Sequence, residues 1–283
     1  MKQRRMVFYF ATKNYQPADI IIWGIPFDRT SSFIPGSRFA PSQIRIASEN
    51  VESYSPYQKQ DLESVKIHDA GDIIFSSSDT DSCCKKIETE MKRHLAKGKK
   101  IFAIGGEHTI TIPLVHAYQE LFPRLRVIQF DAHADLRDEY LGEKLCHATA
   151  MRRVAEIVGI ENLFQIGIRS MTKEEARNKM NLFEIGQHLD KVKRAIGNHP
   201  TYITLDIDVL DSGVMPAVAT PEPGGVSFRD LVKGLSKLAG GKIVGADLVE
   251  YNPLAAPGLA YASTAAVLVR EMLLLLAKEK TKS

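Results

Sequence analysis

The chain has 283 residues, 44% of them hydrophobic, which is enough to bury the core of one α/β domain. Its formal net charge is only +3. No block of five like charges occurs, which argues against a nucleic-acid tail or a polybasic membrane patch. Three cysteines, two of them adjacent, form no disulfide framework and favour a reducing compartment. We therefore predict a single domain over residues 1–283, located in the cytoplasm and binding neither nucleic acid nor a membrane.

Short apolar runs recur along the chain and predict strands. The runs are rich in Ile, Val, Leu or Phe and end at Gly, Asp or Pro. Such continuous apolar strands are typical of a parallel sheet covered on both faces. In chain order the predicted strands are Asp19–Ile25, Val65–His68, Lys100–Ile104, Leu125–Phe130, Leu163–Ile168, Thr201–Leu205 and Lys242–Leu248.

Helical patterns lie between these runs, with Pro, Ser and Gly at plausible starts and stops. The predicted helices are Gln43–Asn50, Asp81–Lys97, Ile110–Leu121, Phe228–Leu238 and Tyr261–Lys278. The most apolar stretch, Ala262–Ala277, contains Arg270 and Glu271; it is too short and too charged to span a bilayer and predicts a core-facing helix. The strand–helix alternation predicts a three-layer α/β/α sandwich around a mainly parallel, doubly wound sheet.

Polar segments follow three of the predicted strands, where ligands collect in such sheets. Gly105 and Gly106 allow a tight turn that places His108 at a strand end. After the strand ending at Phe130 come Asp131, His133 and Asp135, whose spacing puts the three side chains on one face of an extended chain. The third segment has Asp206 and Asp208 in the same alternating relation.

Each segment also has a purely structural interpretation: a core histidine, an Asp/His turn and an aspartate pair that caps a helix. Together, however, they supply two histidines and four aspartates, too many ligands for one ion and about right for two. Carboxylates placed so close repel one another unless a cation lies between them. A carboxylate-rich set without thiolates favours Mn²⁺ over Zn²⁺. The sequence therefore predicts two Mn²⁺ ions per chain that activate a shared water.

These segments resemble the ureohydrolase family, which comprises arginases, agmatinases and related guanidino hydrolases. The resemblance covers nearly the whole chain and implies an arginase-like fold and hydrolysis of a small guanidine. It is carried by residues 24–28, 35–41, 71–72, 105–108, 131–135, 147–148, 167–170, 205–211, 221–225 and 249–250.

The resemblance also implies a role for each site residue. Four ligands would hold one manganese ion: His108, Asp131, Asp135 and Asp206. Four would hold the other, with the two shared aspartates bridging: Asp131, His133, Asp206 and Asp208. Asp135 would also hydrogen-bond the bridging hydroxide. His147 would shuttle a proton to the leaving amine, and Glu250 would bind the guanidinium. Without the family context, His147 and Glu250 would pass as surface residues.

Differences from arginases favour a decarboxylated substrate. Where arginases carry a Ser-Gly-Asn that receives the substrate carboxylate, this chain has Glu143, Lys144 and Leu145, and Ser170 stands in place of an aspartate for the α-amino group. We therefore expect hydrolysis of agmatine to putrescine and urea, with guanidinobutyrate or arginine as the next candidates. Departures from the usual motifs at Cys146, Ser212 and Ala256 concern loop shape and substrate choice.

Other classes of function stay open at this level. A non-catalytic metal-binding member of the fold would be expected to lack a ligand, and none of the six is missing. A related deacylase with a single zinc would need fewer carboxylates. Family likeness further implies a homo-oligomer, a trimer or a hexamer, in which no interface residue can be identified from the sequence.

Overall fold

An eight-stranded sheet forms the centre of the computed structural model, which describes residues 6–77, 79–177, 181–185 and 188–277. A separate two-stranded hairpin comprises β2 and β3. The strands are β1 Ile20–Ile25, β2 Tyr54–Ser55, β3 Gln60–Asp61, β4 Ile67–Asp72, β5 Lys100–Gly105, β6 Arg126–Phe130, β7 Leu163–Ile166, β8 Asn181–Phe183, β9 Thr201–Asp206 and β10 Ile243–Val249. The large sheet has the order β4-β1-β5-β10-β9-β6-β7-β8, and every neighbouring pair is parallel.

Helices cover both faces of this sheet. They are α1 Ala40–Ala47, α2 Thr80–Leu95, α3 Thr111–Leu121, α4 Ala150–Val158, α5 Leu189–Ile196, α6 Phe228–Lys237 and α7 Leu259–Ala277. Alternate strand residues enter two separate cores, since Ile20 and Ile22 pack with α1, α5, α6 and α7, whereas Ile21 and Trp23 pack with α2, α3 and α4. The predicted three-layer α/β/α sandwich with a parallel, doubly wound sheet is confirmed.

All seven predicted strands are present, with ends shifted by one to a few residues. The sequence analysis missed β8, a three-residue edge strand that begins with the polar Asn181. It also missed α4 and α5, which are short and bury only one narrow stripe each, for example Leu189, Val192 and Ile196 in α5. Lys278, the predicted end of the last helix, lies outside the described residues.

Helix α7 requires one correction. The argument that it is too short and too charged to span a bilayer is wrong, because its 19 residues pass that test by length and composition. However, 67% of its most apolar window is buried inside the fold, as expected for a core helix. Arg270 and Glu271 are also buried, and they pair with each other at 2.6 Å. The prediction that this helix faces the core is therefore correct.

Four neighbouring strands end at the same level. In the register of the sheet, Ile104 of β5 lies beside Leu248 of β10. Leu248 lies beside Leu205 of β9, and Leu205 lies beside Phe130 of β6. The segments that follow these four strands therefore emerge together at the carboxyl edge. Chain order does not reveal this, because β10 is last in the sequence and lies between β5 and β9.

Candidate metal centre and active-site cavity

The turn after β5 brings its histidine close to the loop after β10. A side chain at Gly106 would place its Cβ 1.8 Å from the carbonyl oxygen of Phe27, so only glycine fits there. The carbonyl of Gly106 accepts a hydrogen bond from the backbone N–H of Glu250 at 2.8 Å. The chain then turns into a short 3-10 helix that starts at His108 and leads into α3.

Three carboxylates surround Nδ1 of His108, which is almost fully buried. Oδ2 of Asp131 and Oδ2 of Asp135 each lie 3.1 Å from this nitrogen, and Oδ2 of Asp206 lies 3.5 Å away. Nevertheless, Nδ1 has no hydrogen-bond partner. A buried ring nitrogen without a partner among three acidic oxygens is the arrangement expected of a ligand whose lone pair is directed at a cation.

A second acidic group lies next to the first. Nδ1 of His133 is 2.8 Å from Oδ2 of Asp208 and 3.7 Å from Oδ1 of Asp131. Asp131 thus directs Oδ2 toward His108 and Oδ1 toward His133. The other oxygen of Asp208, Oδ1, accepts a hydrogen bond from the backbone of Ala132 at 2.9 Å.

The described residues contain two buried or partly buried sets of atoms that can hold an ion in this region. One comprises His108, Asp131 and Asp206, and the other comprises Asp131, His133 and Asp208; in each set the ligand atoms lie within 4.8 Å of one another. Asp131 belongs to both sets, which is the geometry of a bridging ligand. Asp206 belongs only to the first, and its Oδ1 accepts the backbone N–H of Asp208 at 2.9 Å.

The pKa values of the aspartates indicate that the side chains of this cluster do not balance its negative charge by themselves. Burial and the charges of Asp208 and Asp131 raise the pKa of Asp206 well above its usual value. Burial and Asp131 raise the pKa of Asp135 to about 6. Burial alone would also raise the pKa of Asp131, but the neighbouring imidazoles of His108 and His133 lower it. The four carboxylates therefore cannot all be ionised without added positive charge, and hard divalent cations fit this oxygen-rich donor set.

A hydrogen-bonded chain behind the cluster orients His108. Its Nε2 lies 2.9 Å from Oγ1 of Thr204, and that hydroxyl donates to Oδ1 of Asp247 at 2.6 Å. The other oxygen of Asp247 accepts from Thr111 and from Tyr202 at 2.9 and 2.8 Å. Because the Thr204 hydrogen is used by Asp247, Thr204 can only accept from Nε2. The proton of His108 is thereby fixed on Nε2, and its Nδ1 is free to bind a cation.

We predict that Asp247→Asn lowers the affinity of the protein for Mn²⁺ about 10- to 100-fold. The amide cannot accept from all three hydroxyls, so Thr204 loses its fixed orientation and His108 loses its fixed tautomer. Titration of the metal-free variant with Mn²⁺, followed by calorimetry, measures the change. Asp190→Asn, at an exposed position of α5, serves as the control. Equal affinities in the two variants would refute the orienting role of Asp247.

Glu250 lies at the base of the same site. It is 9% exposed, and its Oε1 accepts the backbone N–H of His108 at 2.7 Å. Burial, together with the charge of Glu107, raises its pKa well above the usual value. A cationic partner would stabilise the ionised form of this carboxylate. No local pattern marks this residue, since His108 and Glu250 are 142 positions apart in the sequence.

Two of the predicted catalytic residues have strained backbones. Asp135 has φ of 53° and Glu250 has φ of 66°. Among the described non-glycine residues, only Lys59 and Leu141 share positive φ values. Such conformations are costly for residues with a Cβ and concentrate at functional sites, where the surrounding contacts hold them.

His147 lies in the cavity wall at the start of the 3-10 turn before α4. Its Nδ1 is 3.4 Å from Oγ1 of Thr30, and its Nε2 is 3.3 Å from Oγ of Ser32. The ring of Tyr140 packs against it edge-on, with centroids 5.8 Å apart. Burial lowers the pKa of His147 to about 4, so the imidazole is neutral near pH 7.

The cavity has a volume of about 300 Å³ and adjoins the acidic cluster, although neither His108 nor Asp131 lines it. His133, Asp135, Asp206, Asp208, His147 and Glu250 all line it. Ser170 lines it as well, whereas residues 143–145 do not. Asp211 forms a turn: its carboxylate accepts the backbone N–H groups of Gly213, Gly224 and Gly225.

Several site residues were not found from the sequence. Thr30, Ser31 and Ser32 form a polar loop after β1 that contacts His147 or Glu107. Glu222 also lines the cavity, and its Oε1 accepts the Ser170 hydroxyl at 2.9 Å. The sequence contained only a weak indication of these residues. The run Thr30–Ser32 is the polar interval between two of the family-like segments, and Glu222 lies within another.

Comparisons with known proteins identify the family of this chain. The model of the Arginase family matches residues 18–275. An agmatinase from Bacillus subtilis is 39% identical over 276 residues, covering 95% of each chain. An N(1)-aminopropylagmatine ureohydrolase from Thermus thermophilus is 36% identical over 260 residues, covering 88% of each. The crystal structure of an agmatine ureohydrolase of Thermoplasma volcanium superposes with a TM-score of 0.88 at 31% identity, covering 97% of this chain and 95% of the other.

Proposed function

As a member of the arginase family, this chain is a hydrolase of guanidino C–N bonds, and we propose that it hydrolyses agmatine to putrescine and urea with two Mn²⁺ ions. The observation that carries the proposal is a single acidic cavity. It is lined by members of both candidate ligand groups, by the buried carboxylate of Glu250 and by the imidazole of His147. Its relatives named agmatinase support the choice of substrate.

The proposed ligands of the ions are the six residues of the cluster. One ion would be held by His108, Asp131, Asp135 and Asp206, and the other by Asp131, His133, Asp206 and Asp208. When bound, a pair of divalent ions lowers the pKa of a shared water and so supplies a nucleophile near neutral pH.

The remaining groups bind the substrate and move its protons. Glu250 receives the planar guanidinium through paired N–H donors and holds its central carbon over the cluster. Asp135, at the edge of the cluster, accepts a hydrogen bond from the attacking water. His147 delivers a proton to the leaving nitrogen as the C–N bond breaks, because an alkylamine leaves poorly unless it is protonated. Tyr140 and Ser32 hold the imidazole at the cavity wall.

The charge of the cavity favours a dicationic substrate. If two divalent ions balance the four aspartates of the cluster, the rest of the lining contains three carboxylates and one guanidinium: Glu175, Glu222, Glu250 and Arg137. Agmatine carries a guanidinium and an ammonium, which this surplus of negative charge attracts. Arginine and guanidinobutyrate each carry a carboxylate that the same surplus repels.

N1-aminopropylagmatine is the second candidate substrate. The relative from Thermus thermophilus is named for it and is 36% identical to this chain. The compound adds an aminopropyl group and a further positive charge to agmatine, so it has the same charge preference. The choice between the two depends on the length of the substrate that the cavity accepts.

We expect kcat/KM for agmatine to exceed that for arginine by about 100-fold or more, because the surplus of carboxylates in the cavity lining repels the arginine carboxylate. Urea release from agmatine, N1-aminopropylagmatine, guanidinobutyrate and arginine, measured in saturating Mn²⁺, tests the substrate. Activity on arginine alone would overturn the choice of agmatine. If none of the four compounds released urea, the proposed reaction itself would be wrong. The homo-oligomer and the cytoplasmic location stay predictions from the sequence.

A further inference from the structure

A buried carboxylate that the proposed reaction does not use holds the loop after β1. Glu107 is fully buried and accepts the backbone N–H of Thr30 at 3.0 Å and the hydroxyl of Ser31 at 3.1 Å. It also accepts the hydroxyl of Thr109 at 2.7 Å and that of Thr30. Burying an ionised carboxylate is costly unless such donors compensate it. The cavity loop 30–32 supplies three of these four donors.

The hydroxyl of Thr30 has a fixed direction. A threonine hydroxyl has one hydrogen to donate and two lone pairs to accept with. The Thr30 hydrogen goes to Oε1 of Glu107, and the hydrogen of Thr109 goes to the same oxygen. Oγ1 of Thr30 can therefore only accept from its other neighbours. One of them is the backbone N–H of His147, at 3.2 Å.

The other neighbour is the imidazole of His147. Its Nδ1 lies 3.4 Å from Oγ1 of Thr30, and the two atoms attract each other only when Nδ1 carries the hydrogen. A neutral imidazole has one N–H, so Nε2 then holds the free lone pair. Nε2 is on the side of Ser32, a residue of the cavity lining. The ring of Tyr140, nearly perpendicular at 86°, packs against the imidazole.

We propose that Glu107, acting through Thr30, positions His147 and fixes the tautomer in which Nε2 is the atom that transfers the proton. The inference rests on the proposed function, in which His147 protonates the leaving amine. Water contributes its oxygen to urea. A bond forms between the water oxygen and the guanidinium carbon, and one proton of that water passes to Nε2 and then to the leaving nitrogen as the C–N bond breaks. The second proton of the water also goes to this nitrogen, which leaves as an ammonium group, and the imidazole returns to its neutral form with the hydrogen still on Nδ1.

Thr30→Val tests the proposal, because it keeps the shape of the side chain and removes the hydroxyl. We expect kcat to fall about 10- to 100-fold with KM changed less than about threefold and two metal ions retained, since only the orientation of a proton donor is lost. Thr30→Ser should restore kcat to within about threefold of wild type. Thr89→Val, which removes a hydroxyl at an exposed position of α2, is the matched control and should leave kcat unchanged.

Combination with His147→Ala separates tautomer control from simple support of the loop. If Thr30 acts through His147, adding Thr30→Val to His147→Ala causes no further loss of kcat. Losses that multiply would overturn the proposal. Ser31 also donates to Glu107 but has no contact with His147 among those described. If Ser31→Ala lowered kcat as far as Thr30→Val does, the proposal would also be overturned.

Glu107→Gln extends the test to the anchor. The amide retains one accepting oxygen, so we expect the hydroxyl of Thr30 to lose its fixed direction and kcat to fall as in Thr30→Val. A thermal melt checks that this buried variant folds; the Thr30 variants, at a half-buried loop position, test the proposal independently. Wild-type kcat in folded Glu107→Gln would overturn the role of Glu107. Failure of the proposed function is a separate result, namely a wild-type enzyme that releases no urea from any of the four guanidines.

Discussion

Asp131→Ala is expected to abolish urea release and to lower the metal content from two ions per chain to fewer than one. Asp131 is the residue that faces both histidines, with Oδ2 3.1 Å from Nδ1 of His108 and Oδ1 3.7 Å from Nδ1 of His133. Deleting it removes a ligand from both candidate sites at once, whereas deletion of Asp208 would affect only one. Loss of both ions also removes the activated water, so the loss of kcat should exceed about 10⁴-fold.

Metal analysis of the dialysed protein and a urea assay at saturating agmatine measure these two effects. Asp190→Ala removes an exposed aspartate from α5 and should retain full activity and both ions. A circular-dichroism melt separates loss of metal from loss of fold. Two ions and wild-type turnover in Asp131→Ala would show that the cluster is not the catalytic metal centre.

His147→Ala is expected to slow turnover by about 10²- to 10⁴-fold while both ions stay bound. His147 lines the cavity and lies near Thr30 and Ser32, and it belongs to neither set of candidate metal ligands. Its removal should therefore affect the departure of the amine and leave binding of the guanidinium by Glu250 intact. This predicts a fall in kcat with little change in KM.

Added imidazole should restore part of the lost rate, because a small base can enter the space left by the side chain. His116→Ala, at an exposed position of α3, is the matched control and should behave as wild type. An unchanged kcat in His147→Ala would remove the proposed proton transfer. A loss of metal in that variant would show that His147 acts on the cluster instead.

Much of the fold could be predicted because buried elements require local patterns of apolar residues in the sequence. Strands such as β1, with six buried residues in succession, must be apolar on both sides when helices cover both faces of a sheet. The elements that were not predicted are those in which the apolar pattern is short. Strand β8 has three residues at the sheet edge, and α5 has only two turns.

The candidate ligands could be predicted for a similar reason. Asp131, His133 and Asp135 alternate within five residues, and Asp206 and Asp208 alternate within three, so local chain geometry alone brings the members of each group together. The sequence also contains a row of polar residues within the strands that precede these ligands. Gln129, Thr204 and Asp247 each interrupt an apolar strand and lie side by side in the sheet.

The sequence by itself determined the layered α/β/α fold, the types of ligand and their grouping within each loop, because these depend on residues close together in the chain. Only the tertiary structure decided which groups meet. Strand β10, last in the chain, lies between β5 and β9, and this order places Asp247 behind His108 and Glu250 beside it. Contacts such as Thr30 with Glu107 and His147, 77 and 117 positions away, depend on how parallel strands cross over, which no local pattern specifies.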